Sequence, residues 1–503
     1  MLAKLKYPSL TFLISFAILF FFYHEVILHP NDYLFASAGD GSKNYYAFLY
    51  HAQFDSSFWN FEGMNYPFGE NIVYVDAHPA FCWVIRSLGL GEYGVGIINL
   101  AMLLSFPLCS LVLYKILRHY KVEVRWSIVA AVAITLMAPQ IYRMTGHFAM
   151  AYLFAIPLMW YLLIKSIHSV RPWIWSLVIC LYLLGFFFTH PYLGLIMAFF
   201  AGVYWVVRII VERKKKGRWL KISTNIVVQV FLPLLLFQLL VTMNDTHVDR
   251  PNNPAGFFFY YGNWKSFLVA HDGPLNTVIQ WFGIKLAKWE SWNYIGLSTM
   301  VFGAVSLAWF YKKRKSLYLR GIIRSELFSF FVAAYLILIF SFCFPFKFDF
   351  MHWFVDLFGP LKQFRVLGRF GWIFFHVGVV FTIIVLSRIK GRSEKPMRFE
   401  FLFYAGILFY VVESYPVHNR LKDVVSTQKN EFRSEFLSAD QKQIIEHINS
   451  EDYDAILFLP FQHMSSENIM IVGQEGALHQ ACVLSYHTQT PLLNSLTSRM
   501  SLS

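Results

Sequence analysis

The sequence predicts an all-α polytopic membrane protein of about eleven transmembrane helices, followed by a small extracytoplasmic α/β segment. Two observations carry this. The 503 residues are 57% apolar and 15% charged, whereas a soluble domain has about 25% charged residues. The apolar residues also fall in long runs separated by short basic clusters, the pattern of membrane topology. Aromatics reach 19%, with 53 Phe, more apolar surface than a soluble chain of this length can bury. An ordinary cytosolic enzyme, a disordered protein and a disulfide scaffold are excluded. The net charge of +13 is dispersed rather than pooled on one element, so nucleic acid is not an expected partner. Cys109, Cys180 and Cys343 lie within apolar runs and read as small buried hydrophobes, and no metal-type Cys or His spacing appears.

The expected spans are 8–28, 93–115, 126–141, 149–166, 172–189, 192–211, 222–243, 294–311, 327–345, 371–389 and 400–415. The first follows Lys4 and Lys6 and lacks a small-residue cleavage site, so it reads as a retained helix. With the N-terminus inside, the cytoplasmic segments are the first residues and the loops near 120, 168, 215, 317 and 393. They hold more than half of the 43 Lys and Arg, as the positive-inside rule requires. The C-terminus then lies outside, and the expected location is the cytoplasmic (inner) membrane. The long segments 29–92, 244–293, 346–370 and 416–503 all fall on the outer side. Function gathers in long loops held by a rigid scaffold. The chain divides into a transmembrane part, 1–415, and an extracytoplasmic part, 416–503. In the latter, Ser438 and Gln441 read as a capping box opening a helix, and Ala455–Leu459, stopped by Pro460, reads as a buried strand.

Loop 29–92 is acidic and aromatic. Its string Gly39-Asp40-Gly41-Ser42-Lys43-Asn44 places Asp40 at the start of a helix expected over 42–56. Asp40 reads equally as an N-cap or as a general base at the membrane surface. The flanking glycines allow a sharp turn and a close approach. Glu70 and Asp76 are candidates for a second carboxylate, and His78 adds a titratable group. On the outer side, Lys362, Arg365 and Arg369 precede the tenth span; Arg365 and Arg369 would share a face if helical. Basic residues there run against the topology rule, and a phosphate is their natural partner. His147, His190 and His352 sit at outer helix ends, where an interfacial hydrogen bond is the ordinary role. Loop 244–293 is rich in Phe, Tyr and Trp. Its stretch 274–289 reads as an amphipathic helix on the membrane, and Glu290 stands at the mouth of the eighth span.

The strings Gly39-Asp40-Gly41 with Lys43-Asn44, Met64-Asn65-Tyr66-Pro67-Phe68-Gly69-Glu70, Gly146-His147-Phe148, Trp289-Glu290 with Tyr294-Ile295-Gly296-Leu297, and Arg365 with Arg369-Phe370 resemble a bacterial branch of the GT-C glycosyltransferases. These are integral membrane enzymes that use polyprenyl-phosphate-linked sugars. The resemblance covers about 1–415. It implies that Asp40 is the catalytic acidic residue of the first loop, although Gly39 stands where a second acid is frequent. It also implies a polyprenyl-phosphate sugar donor, an acceptor hydroxyl on a glycan, lipid or protein of the cell envelope, and transfer with inversion. Arg365, Arg369 and Lys362 would face the donor phosphate, with Lys43, Glu70, Asp76, His78, His147, His190 and Glu290 as further site candidates. No cofactor is expected; a divalent metal is left open but not indicated. The rival readings are a transporter or flippase of a lipid-linked or polar solute, which would need broken helices or charges near the midplane, and a non-catalytic partner in envelope assembly.

Overall fold

The computed structural model describes residues 2–213, 217–247, 250, 254, 256–313, 321–322, 324–460, 463–464 and 475–499. The basic clusters at 214–216 and 314–320, part of the expected cytoplasmic charge, lie outside the described residues. Helices dominate. The first is α1, Leu2–Leu28. The outer loop after it carries α2, Gly39–Gln53, and α3, Pro79–Ser87. Next come α4, Gly94–His119, α5, Val124–Leu136, α6, Ala155–His168, α7, Pro172–Phe187, and α8, Pro191–Glu212. Then α9, Arg218–Ile226, continues through a π turn into α10, Leu232–Asn244. Two short helices, α11, Trp264–Leu268, and α12, Gly273–Trp281, lead to α13, Leu297–Lys312. The bundle closes with α14, Glu326–Ser341, the short α15, His352–Leu357, α16, Gly371–Lys390, and α17, Pro396–Thr427. The tail carries α18, Ala439–Ser450, and α19, Glu475–Thr488.

Local chemistry sets these boundaries. Pro occupies the first turn of α3, α7, α8 and α17, where its missing N–H costs nothing. Ser325 caps α14 by accepting from the Phe328 N–H, and the expected Ser438–Gln441 capping box forms in both directions. Among the described residues, seven helical stretches are long and apolar enough to cross a membrane: Lys6–Leu28, Gly91–His119, Val124–Arg143, Phe148–His168, Pro191–Glu212, Arg218–Asn244 and Leu367–Lys390. The helices Pro172–Phe187 and Glu326–Ser341 are shorter but apolar. This is consistent with a polytopic membrane protein.

The core runs continuously through the bundle. Helix α1 packs on α4, α4 on α5, and α14 on α8 and α16. Phe21, Leu235, Leu307, Phe401 and Leu408 are exposed on its flanks, the surface that acyl chains cover. Some of the polar groups inside are bonded to one another, which a low-dielectric interior favours. At the π turn, the Gln229 side chain accepts from Trp205 Nε1 at 2.7 Å and donates to Ser176 at 2.8 Å.

Three local expectations change. The helix expected over 42–56 starts three residues earlier, because Gly39 takes a left-handed φ of +52° and turns the chain into α2. The amphipathic helix expected over 274–289 stops at Trp281, where Gly283 turns the chain at φ +69°. The strand expected at Ala455–Leu459 is reduced to one bridge, Ile456 to Leu492. Strands among the described residues are two residues long: Asn60–Phe61 antiparallel to Glu70–Asn71, and His463–Met464 parallel to Ser495–Leu496.

The tail folds back onto the first outer loop. The Ser42 hydroxyl lies 2.6 Å from His479 Nδ1, Tyr46 shares a 2.7 Å bond with Ser485, and Gln53 donates to the Tyr486 hydroxyl at 2.6 Å. Helix α2 is therefore sandwiched between the bundle and α19.

Candidate active site

Segments widely separated in sequence converge where α2 begins. The N-cap position falls on Ala38, so Asp40 lies inside the first turn and is not the N-cap. Its side chain is 44% exposed and stands 4.0 Å from Lys43 Nζ and 3.7 Å from His147 Nε2. Gly41 is required by packing: a Cβ there would come within 2.3 Å of the Ala36 Cβ. Its close approach is thus to the protein's own chain. Lys43 is buried and bridges two carboxylates, with Nζ 3.5 Å from Asp76 Oδ2. One residue on, Asn44 donates to the Gly146 carbonyl at 2.7 Å, which holds the 146–147 turn against α2 and brings His147 to Asp40.

Asp76 adopts a left-handed φ of +65°, a conformation Asp tolerates better than most residues. Burial alone would raise its pKa, but Lys43 and His190 outweigh that and hold it well below the usual carboxylate range. His190 is the N-cap of α8. Its Nδ1 accepts from the Tyr192 N–H at 3.1 Å, which leaves Nε2–H facing Asp76 Oδ1 at 3.5 Å. Burial lowers the His190 pKa to about 4 against the pull of Asp76, so it is a neutral donor at pH 7. His78 lies beneath, edge-on to Phe48 and Tyr152, neutral because burial lowers its pKa to about 3.

Glu290 anchors the other half. Its Oε2 accepts from Arg369 Nε at 2.7 Å and Nη2 at 2.6 Å, and from Arg143 Nη1 at 3.1 Å; its Oε1 is 3.7 Å from His147 Nε2. Burial would raise its pKa, but Arg369 and Arg143 hold it well below the usual range. Arg143 stacks 3.6 Å above the Trp289 ring and donates to the Trp289 carbonyl at 2.8 Å. The 289–291 turn meets the 367–370 turn closely enough that a Cβ on Gly368 would fall 2.5 Å from the Ser291 Cβ. Gly368 thereby sets Glu290 against Arg369.

His147 links the halves, touching both Asp40 and Glu290. The structure therefore joins Asp40, Lys43, Asp76, His147, His190, Glu290 and Arg369 in one network, with His78 beneath it. Arg365 borders it, close enough to lower Asp76, while its Nη1 donates to the Ser498 carbonyl at 2.9 Å. Arg365 and Arg369 do not share a helical face: α16 starts at Gly371, and Arg369 lies in a 3-10 turn that Arg365 precedes. Arg369 is engaged by Glu290, a partner the sequence did not reveal. Glu70 belongs to a different cluster, fully buried with Arg250 Nη1 at 2.9 Å, while Arg250 also pairs with Asp245. Lys362 pairs with Asp356 at 2.9 Å. His352 lies 3.9 Å from Asp349, its ring against Phe258. Arg143 was missed by sequence reasoning. Its signal was a lone cation just beyond an apolar run, four residues before His147.

A family profile described as "Domain of unknown function (DUF6311)" matches residues 12–409. The chain belongs to this DUF6311 family. The DUF6311 match takes in the whole network around Asp40 and ends before α18 and α19. No curated protein matches the chain. Among solved structures it is similar to the oligosaccharyltransferase of Archaeoglobus fulgidus in its apo form, at 12% identity and a TM-score of 0.49, covering 98% of this chain and 64% of that one. It is also similar to the same organism's AglB, in complex with an inhibitory peptide and a dolichol-phosphate, at 13% identity and a TM-score of 0.46, covering 98% and 65%. The chain thus spans just under two thirds of the length of these proteins.

Proposed function

We propose that this protein is a membrane glycosyltransferase of GT-C type that moves a sugar from a polyprenyl-phosphate donor to an acceptor hydroxyl on the outer side of the membrane. The observation that carries this is the half-exposed Asp40 carboxylate at the rim of a buried charge network. Asp76 and Glu290, each only 16% exposed, face Lys43, Arg143 and Arg369 inside the network. Asp40 touches its neighbours only loosely and stays accessible, which suits a base.

In this reading the acceptor hydroxyl hydrogen-bonds Asp40. As the acceptor oxygen attacks the anomeric carbon, its proton passes to the Asp40 carboxylate. The bond from the anomeric carbon to the phosphate oxygen breaks, its electron pair leaves with the polyprenyl phosphate, and the configuration inverts. Lys43, Arg143, Arg365 and Arg369 set four cations around the three carboxylates of the network. This leaves one positive charge in excess, which favours a leaving phosphate. Arg365, at the border of the network, is the residue assigned to that phosphate. Arg369, bound by Glu290, acts by positioning. Lys362, paired with Asp356, has no part.

The test is a comparison of lipid extracts from cells with and without the intact gene. Accumulation of a polyprenyl-phosphate sugar in its absence supports the assignment. An unchanged lipid-linked sugar pool, with the purified protein unable to release polyprenyl phosphate from such donors, overturns it.

A further inference from the structure

Three metal-ligating side chains meet at the far end of the bundle. His119 ends α4, His168 ends α6, and Glu326 opens α14. His119 Nε2 lies 3.3 Å from Glu326 Oε1, and His168 Nε2 lies 2.7 Å from Oε2. The three donor atoms all fall within 4.8 Å of one another, and the two imidazole centroids are 5.0 Å apart. The cluster is remote from Asp40. Helix α4 starts at Gly94, against Phe48 and Leu49 of α2. It is 26 residues long and ends at His119, about 38 Å away at a rise of about 1.5 Å per residue.

We infer that this cluster is a zinc site, with His119 and His168 as imidazole ligands, Glu326 as the carboxylate ligand and water in the fourth position. Two imidazoles with one carboxylate suit zinc and its neighbours in the transition series rather than calcium or magnesium, which take mostly oxygen. Tetrahedral bonds of about 2.1 Å set ligand atoms about 3.4 Å apart. The His119–Glu326 separation already has that value, and the His168 contact needs only to open. Tyr120 donates its hydroxyl to Glu326 Oε1 at 2.9 Å, the kind of outer bond that orients a ligating carboxylate. The His168 side chain is 53% exposed, which admits both the ion and its water.

Bound zinc would tie the ends of α4, α6 and α14 together, three elements that contribute no residue to the network around Asp40.

The experiment uses the full chain, without a histidine tag, purified in detergent and stripped by chelator. Zinc titration followed by elemental analysis should give one equivalent per chain, and saturating zinc should raise the Tm. Cobalt(II) should give the intense visible absorption of a tetrahedral site. The exposed His168 is the safe position to change: His168→Ala should leave the metal-free Tm unaltered, weaken zinc binding at least ten-fold and abolish the cobalt absorption. Equal zinc binding by wild type and His168→Ala overturns the proposal. So does a wild-type protein with neither a zinc-dependent Tm rise nor a cobalt band. All these readouts are independent of sugar transfer, so the zinc site and the glycosyltransferase reading stand or fall separately.

Discussion

Replacing Asp40 with Asn separates chemistry from folding. The carboxylate lies in the first turn of α2 but is not its cap, and it is 44% exposed. Its charge interacts favourably with the helix N-terminus, worth about 0.3–1 kcal/mol at a surface. Its contacts with Lys43 at 4.0 Å and His147 at 3.7 Å are those of an exposed pair, worth about 0–1 kcal/mol. Asn keeps the shape and one acceptor oxygen, so the loss of stability should stay under about 2 kcal/mol. A general base typically contributes about 10²–10⁴-fold to rate, which is about 2.7–5.4 kcal/mol of barrier at 1.36 kcal/mol per decade. Turnover should therefore collapse while the protein remains folded. The assay is sugar transfer by purified protein from a labelled polyprenyl-phosphate donor, with Tm and donor binding followed in parallel. Transfer within ten-fold of wild type, at unchanged Tm, would refute the assignment of Asp40 as base.

Three further outcomes follow from the network. Glu290→Ala leaves Arg143 and Arg369 buried without their shared carboxylate; thermal unfolding should register a loss of about 3–5 kcal/mol, with Glu290→Gln milder, and an unaltered Tm for the Ala variant would contradict the role given to Glu290. Gly368→Ala drives a Cβ to 2.5 Å from the Ser291 Cβ, so overpacking should cost about 1–3 kcal/mol, and activity should fall as Glu290 and Arg369 separate. His190 and Asp76 both have folded pKa values below their unfolded ones, His190 at about 4. Their stabilisation is complete above the unfolded values and is lost as pH falls, for His190 between about 6.5 and about 4. His190→Gln should flatten the stability–pH curve in that window by up to one proton's worth, about 1.4 kcal/mol per pH unit, and identical curves for the two proteins would count against a buried neutral His190.

The helices were legible because membrane burial is written in long apolar runs, and a helix occupies each of the eleven expected spans, seven of them long and apolar enough to cross. Several site candidates were legible for a related reason. Charges such as Asp40, Asp76, Glu290 and Arg369 stand out when most neighbours are apolar. Which charges meet was not legible, because pairing depends on how loops fold back. Glu70 and Asp76 lie six residues apart in one acidic loop, yet Arg250 engages the first and Lys43 the second. Arg143 escaped because it sits at a helix end, where a cation ordinarily snorkels to water; only the Trp289 ring and Glu290 give it another role. The short strands were over-read at 455–459 because a run of apolar residues in a tail need not find a ladder partner.

The seam between α2 and α19 sets an order of assembly. Ser42 and His479 are separated by 437 positions, so the ribosome delivers the helix bearing Asp40 long before the wall behind it. By then the intervening apolar helices have been handed to the bilayer. A nascent chain can thus be fully threaded through the membrane and still lack the helix that packs over α2. Completion of the polypeptide, more than its insertion, would be the event that closes this face of α2.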